Sequence, residues 1–166
     1  MYDGDFVSTW KVLEEFYRDG RARSIGVSNF QTNHLNRLAN EADVVPAVNQ
    51  IEVHPYLIQD ELRGYCADHG IAVEAWSPIA RGKVLDDPTI GAIADRVGKS
   101  VAQVTLRWHI QRGDVVFPKS VNADRIAENI DIFDIELSGD DMAAITALNR
   151  DERIGPDPNT FDFIPE

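Results

Sequence analysis

The chain contains one cysteine in 166 residues, Cys66, and cannot close an internal disulfide. Cys66 stands in a helix-like stretch, where a buried small apolar side chain is the expected role, ahead of a catalytic thiol. Positive charge is also scarce. With 16 Lys and Arg against 28 Asp and Glu, a formal charge of -12 at pH 7, the surface lacks the broad basic field that nucleic acid or an anionic membrane requires. No apolar run approaches the ~18 residues of a membrane span and no charged-then-apolar leader opens the chain, so no membrane partner and a cytoplasmic location are expected. His34, His54, His69 and His109 stand far apart with no cysteine or second histidine at ligand spacing, which excludes the usual metal patterns. There is no Gly-x-Ser-x-Gly elbow, no P-loop and no Gly-x-Gly-x-x-Gly, so a nucleotide would have to be held without those devices.

What is present is an alternation of helix and strand signals. Thr9 to Arg18 has apolar residues at Trp10, Val12, Leu13, Phe16 and Tyr17, the spacing of an amphipathic helix, and Asp19-Gly20 ends it. Ser24 to Val27 reads as a short strand opening into Ser28-Asn29-Phe30, and Leu35 and Leu38 mark a second helix. Ala47 to Val53 is a strand of mixed polarity, so Asn49 and Gln50 should meet partners inside the fold; His54-Pro55-Tyr56 breaks it. Gln59 to His69 reads as helix capped by Gly70, Ile71 to Ala75 as strand, and Pro88 to Val97 and Val101 to Gln111 as two helices. A last helix runs from Asp140 to Asn149, with Ser138 as a cap. The tail, 150–166, carries Pro156, Pro158 and Pro165 and is too rich in proline and charge for regular structure. With 43% hydrophobic and 27% charged residues, 1–166 reads as a single domain.

One stretch concentrates chemistry. Val115 to Phe117 is an apolar run that reads as a buried strand; Pro118 stops it, and Asn122 is a good N-cap for the helix that follows. Amides at such a helix start attract anions, and Lys119, Ser120 and Arg125 add two cations and a hydroxyl, so the expected guest is a phosphate. Arg125, Glu128 and Asn129, three and four residues apart, share a helix face that could line an adenosine monophosphate group. Taken alone, the stretch reads first as a capped surface helix with ordinary charges. Four strands each followed by helix make a parallel α/β unit, with the loops after the strands gathered on one side.

Ile25-Gly26-Val27-Ser28-Asn29-Phe30, Val48-Asn49-Gln50-Ile51-Glu52-Val53-His54-Pro55, Ala75-Trp76-Ser77-Pro78 and Pro118-Lys119-Ser120-Val121 follow one another in an order that resembles the aldo-keto reductases. The resemblance runs from about Phe6 to the tail and is nearest to prokaryotic members that reduce small keto acids, keto sugars and aldehydes. It implies an α/β fold, the C-terminal half of a TIM (β/α)8 barrel with four parallel strands, their helices, a C-terminal helix and a tail. It also implies NADPH as cofactor. Ser28, Asn29 and Gln50 would then hydrogen-bond the nicotinamide carboxamide and Trp76 would stack on its ring; Ser77, Ile79 and Arg81 would contact the pyrophosphate. Lys119, Ser120 and Arg125 would hold the 2'-phosphate, with Val121 in the same cofactor-binding stretch and Glu128 and Asn129 near the adenine. A nicotinamide must be held with one face free to give hydride, which calls for amide and hydroxyl partners on one edge and a flat aromatic wall, the residue types found. Ala80 stands where many relatives carry glycine, and Gly82 just beyond is the expected source of backbone freedom.

By the same resemblance the tyrosine, lysine, aspartate and histidine that reduce the carbonyl come from the first half of the barrel, so this chain supplies no catalytic residue. Tyr2 is terminal, Tyr17 and Tyr65 fall on helix faces, and only Tyr56 lies near a strand end; His54 reads as structural. Two readings of different class result. In one the chain is the cofactor-binding part of an oxidoreductase acting on a small carbonyl substrate, completed by an N-terminal half-barrel. In the other it is a non-catalytic nucleotide-binding half-barrel. Met1 suits a genuine start. An open half-barrel sheet has two free edges and an apolar inner face, so self-association is expected in the absence of the first half.

Overall fold

The computed structural model describes residues 5–161; Met1, Tyr2 and Pro165 lie outside the described residues. Four parallel strands, β1 (Val27–Ser28), β2 (Val48–Glu52), β3 (Ala72–Trp76) and β4 (Val115–Val116), follow the order β1-β2-β3-β4. The chain divides into two compact units. One takes the chain up to Ile51 with Asp60–Val73 and the segment from Gly155; the other takes Glu52–Gln59 with Glu74–Ile154.

The first unit holds α1 (Phe6–Arg18), α2 (Thr32–Glu41) and α3 (Asp60–Asp68). α1 begins where the Asp5 carboxylate accepts from the Val7 amide at 3.2 Å, a turn earlier than the apolar spacing alone suggests. Val7, Trp10, Ile25 and Leu38 form the core, and the Trp10 indole donates to the Val44 carbonyl at 3.1 Å. The expected apolar face of α1 needs correction: Val12 and Tyr17 are exposed, while Glu14 is buried. Burial alone would raise the Glu14 carboxyl. The amides of Val44 and Asp43, at 2.7 and 2.8 Å, together with Arg18, outweigh that and hold it below its ordinary range.

β1 is shorter and later than Ser24 to Val27, because pairing with β2 joins Val27 to Asn49 and Ser28 to Gln50, while Ile25 meets the other segment only through its carbonyl and the Ala47 amide. Gly26 lets the two backbones approach. A Cβ there would lie 2.2 Å from Val48 Cγ1 and 2.8 Å from the Val48 carbonyl oxygen. Cys66 is fully buried, and burial pushes its thiol up.

The second unit holds a 3-10 turn (Ala80–Gly82), α4 (Pro88–Val97), α5 (Val101–Gln111), α6 (Ala123–Ile130) and α7 (Gly139–Thr146). Their starts follow local chemistry. Asp87 caps α4 through the amides of Thr89 and Ile90 with Pro88 in the first turn; Ser100 and Gln103 form a capping box on α5; Ser138 caps α7. Ile90, Val104, Trp108, Leu137 and Ile145 fill the core between these helices, and the Trp108 indole donates to Thr146 Oγ1 at 3.2 Å.

The fourth strand is not the buried element its apolar letters suggest. Val115 is 46% and Phe117 51% exposed, since β4 pairs only with β3 and nothing in the described residues covers their face. In the register Glu74 with Val115, that face also carries Glu74 and Trp76, both half-buried, so the open side of this unit is mixed in polarity, not apolar.

Two buried histidine–carboxylate pairs brace the second unit. His109 Nδ1 lies 2.9 Å from Asp114 Oδ2 and its Nε2 3.1 Å from the Pro78 carbonyl. His54 Nε2 lies 2.9 Å from Glu52 Oε1, and both residues are sealed from solvent. His54 therefore has the structural role expected of it.

Gly26→Ala forces backbone or Val48 to shift and should destabilise the protein by about 1–3 kcal/mol, read as a lower urea midpoint at unchanged slope. A midpoint equal to the parent's would show that the strands can part without cost. Acid should destabilise as well. Burial lowers His54, against the opposing pull of Glu52, and burial lowers His34. The unfolded chain thus binds protons at these rings first, so stability is complete above about pH 6.5 and declines as pH falls below it. Urea melts at paired pH values should show that slope, and His54→Phe should flatten it.

Candidate functional site

In the first unit the end of β1 forms a tight corner. The Asn29 amide donates to the Gln50 carbonyl at 2.8 Å, and the Ser28 hydroxyl donates to the same carbonyl at 3.1 Å. Asn29 itself is left-handed, φ 60, a conformation that a non-glycine residue rarely holds without being over-determined by its surroundings. Here the surroundings are the fully buried Asn49: its Oδ1 accepts from the Phe30 amide at 3.3 Å and its Nδ2 donates to the Phe30 carbonyl at 2.8 Å. Because side chains alternate along a strand, Gln50 faces the opposite side from Asn49 and Ile51, and it is half-buried. Ser28, Asn29 and Gln50 are thus brought together. Beside Ser28 and Asn29 lies a cleft of about 290 Å³ walled by Phe6, Phe30, His34, Pro158 and Phe161. His34 Nδ1 accepts from the Gln31 amide at 3.0 Å, so the neutral ring carries its proton on Nε2.

In the second unit Trp76 ends β3, half-buried, and the chain then turns sharply. Ser77, Ala80 and Arg81 are left-handed at φ 52, 51 and 51, followed by Gly82 at φ 92. The amides of Ala80, Gly82 and Lys83 close successive turns onto the carbonyls of Ser77, Ile79 and Ala80. Gly82 does not supply the freedom alone, contrary to expectation. Ala80 takes the left-handed conformation itself and is fully buried in the core cluster. Ile79 packs against that cluster, and Arg81 is exposed.

After β4, Ser120 Oγ accepts from the Asn122 amide at 3.1 Å and Asn122 Oδ1 caps α6 through the Arg125 amide at 3.0 Å. The expected N-cap is therefore correct, and the helix start presents further amides that no helical carbonyl reaches. α6 contains no buried residue; Lys119, Arg125 and Glu128 are exposed, Ser120 and Asn129 half-buried, and Val121 is 87% exposed. Arg125, Glu128 and Asn129 fall on one face of α6 as their spacing requires. Asp124 places a carboxylate in the same first turn, which tempers the positive field there.

Tyr56 is spoken for. Its hydroxyl donates to Asp87 Oδ2 at 2.9 Å, the Arg150 guanidinium lies 3.8 Å over its ring, and burial with the Asp87 contact pushes its pKa up to about 12. A phenol so held is a brace for the start of α4. Among the described residues no group of three His, Cys, Asp or Glu could hold a metal ion, and no helix is long and apolar enough to cross a membrane. Sequence reading missed Glu52, buried two residues beyond Gln50 on the same strand face; the period of two offered that signal, but a carboxylate is a poor guess for a sealed position.

The aldo/keto reductase family model matches residues 2–150. An aldo-keto reductase of Mycolicibacterium smegmatis is 56% identical over 158 residues, 95% of this chain and 58% of its own length. A glyoxal reductase of Bacillus subtilis is 53% identical, with 95% of this chain and 57% of the relative covered. The crystal structure of a Gox0644 variant in complex with NADPH superposes with a TM-score of 0.92 at 50% identity, covering 95% of this chain and 58% of that one. The chain thus spans somewhat over half the length of the proteins it matches, and its four parallel strands with their helices are a half-barrel of the TIM type. With the family model matching residues 2–150, nearly all of those described, the chain belongs to the aldo/keto reductase family.

Proposed function

We propose that the chain is the cofactor-binding, C-terminal part of an NADPH-dependent reductase that converts small aldehydes and ketones, among them keto acids, keto sugars and the dicarbonyls for which its relatives are named, to alcohols. On this reading the whole chain belongs to one barrel domain and the reaction is completed by an N-terminal half carrying the catalytic tyrosine, lysine, aspartate and histidine. The observation that carries it is where backbone strain is kept. Of six left-handed non-glycine residues among those described, Asn29, Ser77, Ala80 and Arg81 fall in the two loops where the family resemblance puts cofactor contacts. Each costs roughly 1–2 kcal/mol and persists only where its surroundings over-determine it, and such conformations cluster at ligand sites.

Roles follow residue chemistry. Ser28, Asn29 and Gln50 offer a hydroxyl and two amides to a carboxamide; Trp76 offers a flat face to the ring. Ser77, Ile79 and Arg81 serve the pyrophosphate, Lys119, Ser120, Val121 and Arg125 the 2'-phosphate, and Glu128 and Asn129 the adenine. NADPH, when bound, supplies the hydride. This chain's part is to hold and orient it. The engagement of Tyr56 with Asp87 favours a second, narrower statement: alone, the chain binds nucleotide without turning over substrate.

Arg125→Ala should weaken NADPH binding roughly tenfold, the low end for a charge-assisted contact on an exposed helix, and leave NADH binding within about twofold. Fluorescence titration decides, since equal losses for both cofactors would mean that Arg125 does not read the phosphate. The purified chain should consume no NADPH with aldehydes or α-keto acids, because a missing proton donor alone forfeits about 10² to 10⁴ in rate. Adding a separately expressed first half should restore turnover, and Tyr56→Phe should not abolish it. Turnover by the chain alone that disappears in Tyr56→Phe would overturn the assignment.

A further inference from the structure

None of the residues of α6 is buried, and its apolar Ile126 and Ile130 are both more than half exposed. Apolar packing therefore does little to fix the direction of this helix. Polar ties at its C-terminal end do more. Carbonyls at the end of a helix look for donors outside it, and one side chain of α5 supplies them. Gln103 Nε2 donates to the Glu128 carbonyl at 3.1 Å and to the Asp131 carbonyl at 2.8 Å. The oxygen of the same side chain accepts from the Ser100 amide at 3.0 Å, at the start of α5. Gln103 is 6% exposed, so one buried amide joins the start of α5 to the end of α6 with partners on both sides. Lys99 adds a cation where the α6 dipole is negative. Its Nζ lies 3.2 Å from the Asp131 carbonyl, 2.8 Å from Asp131 Oδ2 and 2.9 Å from Asp134 Oδ2.

A buried amide with all its partners in place is directional, and it fixes where those partners sit more sharply than apolar contact does. The ties at the other end of α6 have a shorter reach. The Ser120 and Asn122 hydrogen bonds stay within residues 120–125 and join the helix to nothing outside that segment. Glu128, whose carbonyl Gln103 holds, is itself a candidate adenine residue, and Arg125 and Asn129 share its face, so a swing of the last turn carries all three.

We infer that Gln103, with Lys99 beside it, is a positioning residue for the phosphate and adenine end of the cofactor: its buried amide fixes the last turn of α6 and so the direction in which that face is presented. The effect on ligand rests on the reading that this face and Lys119 hold the 2'-phosphate and the adenine. Gln103→Met keeps length and bulk and removes both donors. Lys99→Met removes the cation alone. Ser100→Ala is the control, since it deletes the hydroxyl that caps α5 and leaves Gln103 Nε2 on its carbonyls.

In the full chain without ligand, amide hydrogen exchange over 126–132 should accelerate roughly tenfold or more in Gln103→Met, about threefold in Lys99→Met, and stay within about twofold of the parent in Ser100→Ala. The second readout is the ratio of affinities for adenosine 2',5'-bisphosphate and adenosine 5'-monophosphate, which isolates the 2'-phosphate. That ratio should shrink several-fold in Gln103→Met, less in Lys99→Met and not at all in Ser100→Ala, a pattern that mere loss of stability would not give. Unchanged exchange in a folded Gln103→Met overturns the tie, and an unmoved Lys99→Met removes Lys99 from it. Should Gln103→Met not fold, Lys99→Met decides alone. Faster exchange with an unchanged ratio, or a ratio reduced as much by Ser100→Ala, overturns the link to the site. A parent chain that does not prefer the bisphosphate refutes the phosphate assignment of the proposed function and that link with it, while exchange still decides the tie.

Discussion

The side-chain amide of Asn49 grips both backbone groups of Phe30, and the corner after β1 depends on that grip. A backbone amide and carbonyl buried without partners would each cost about 1–3 kcal/mol, so a side chain that satisfies both at once extends strand pairing past the last residue of β1. With Phe30 held, the chain between it and Ser28 has little choice, and Asn29 is driven into a left-handed turn whose amide meets the Gln50 carbonyl. Asn49 and Gln50 thus divide the labour of one strand. One is buried and fixes the corner; the other faces the opposite side and stays half-buried.

Helix starts were legible because their causes lie within a few residues. Asp87 before Pro88, Ser100 three residues before Gln103, Asn122 and Ser138 each cap through their own side chains, and each helix begins where that chemistry says. Distant partners are less visible. Glu14 is buried because the amides of Asp43 and Val44 reach it from beyond α2, and Val12 and Tyr17 stay exposed because no element among the described residues covers them. β4 reads as buried from its letters alone, yet burial of an edge strand depends on a neighbour that the described residues do not contain.

The site shows a similar division. Residue types in the right order singled out Ser28, Asn29, Gln50 and Trp76 as candidates, but the backbone conformations around them were not readable from those types. Ala80 is the sharpest case. A glycine there would relieve left-handed strain, and the sequence suggested that Gly82 took over the task. Instead the alanine methyl is packed into the core with Tyr56, Ile90 and Trp108, and that burial offsets what the conformation costs. Local propensity lost to tertiary packing at this position.

The mixed face of the second unit carries the argument a step further. A carboxylate, an indole and an aliphatic side chain on adjacent positions of β3 and β4 form neither a solvated surface nor a core, since Val115 gains nothing in water and Glu74 would be costly in oil. Such a face suits the inside of a small closed barrel, where polar groups are satisfied by inward neighbours and bound ligand as much as by water. The relatives' greater length leaves room for the strands that would close it.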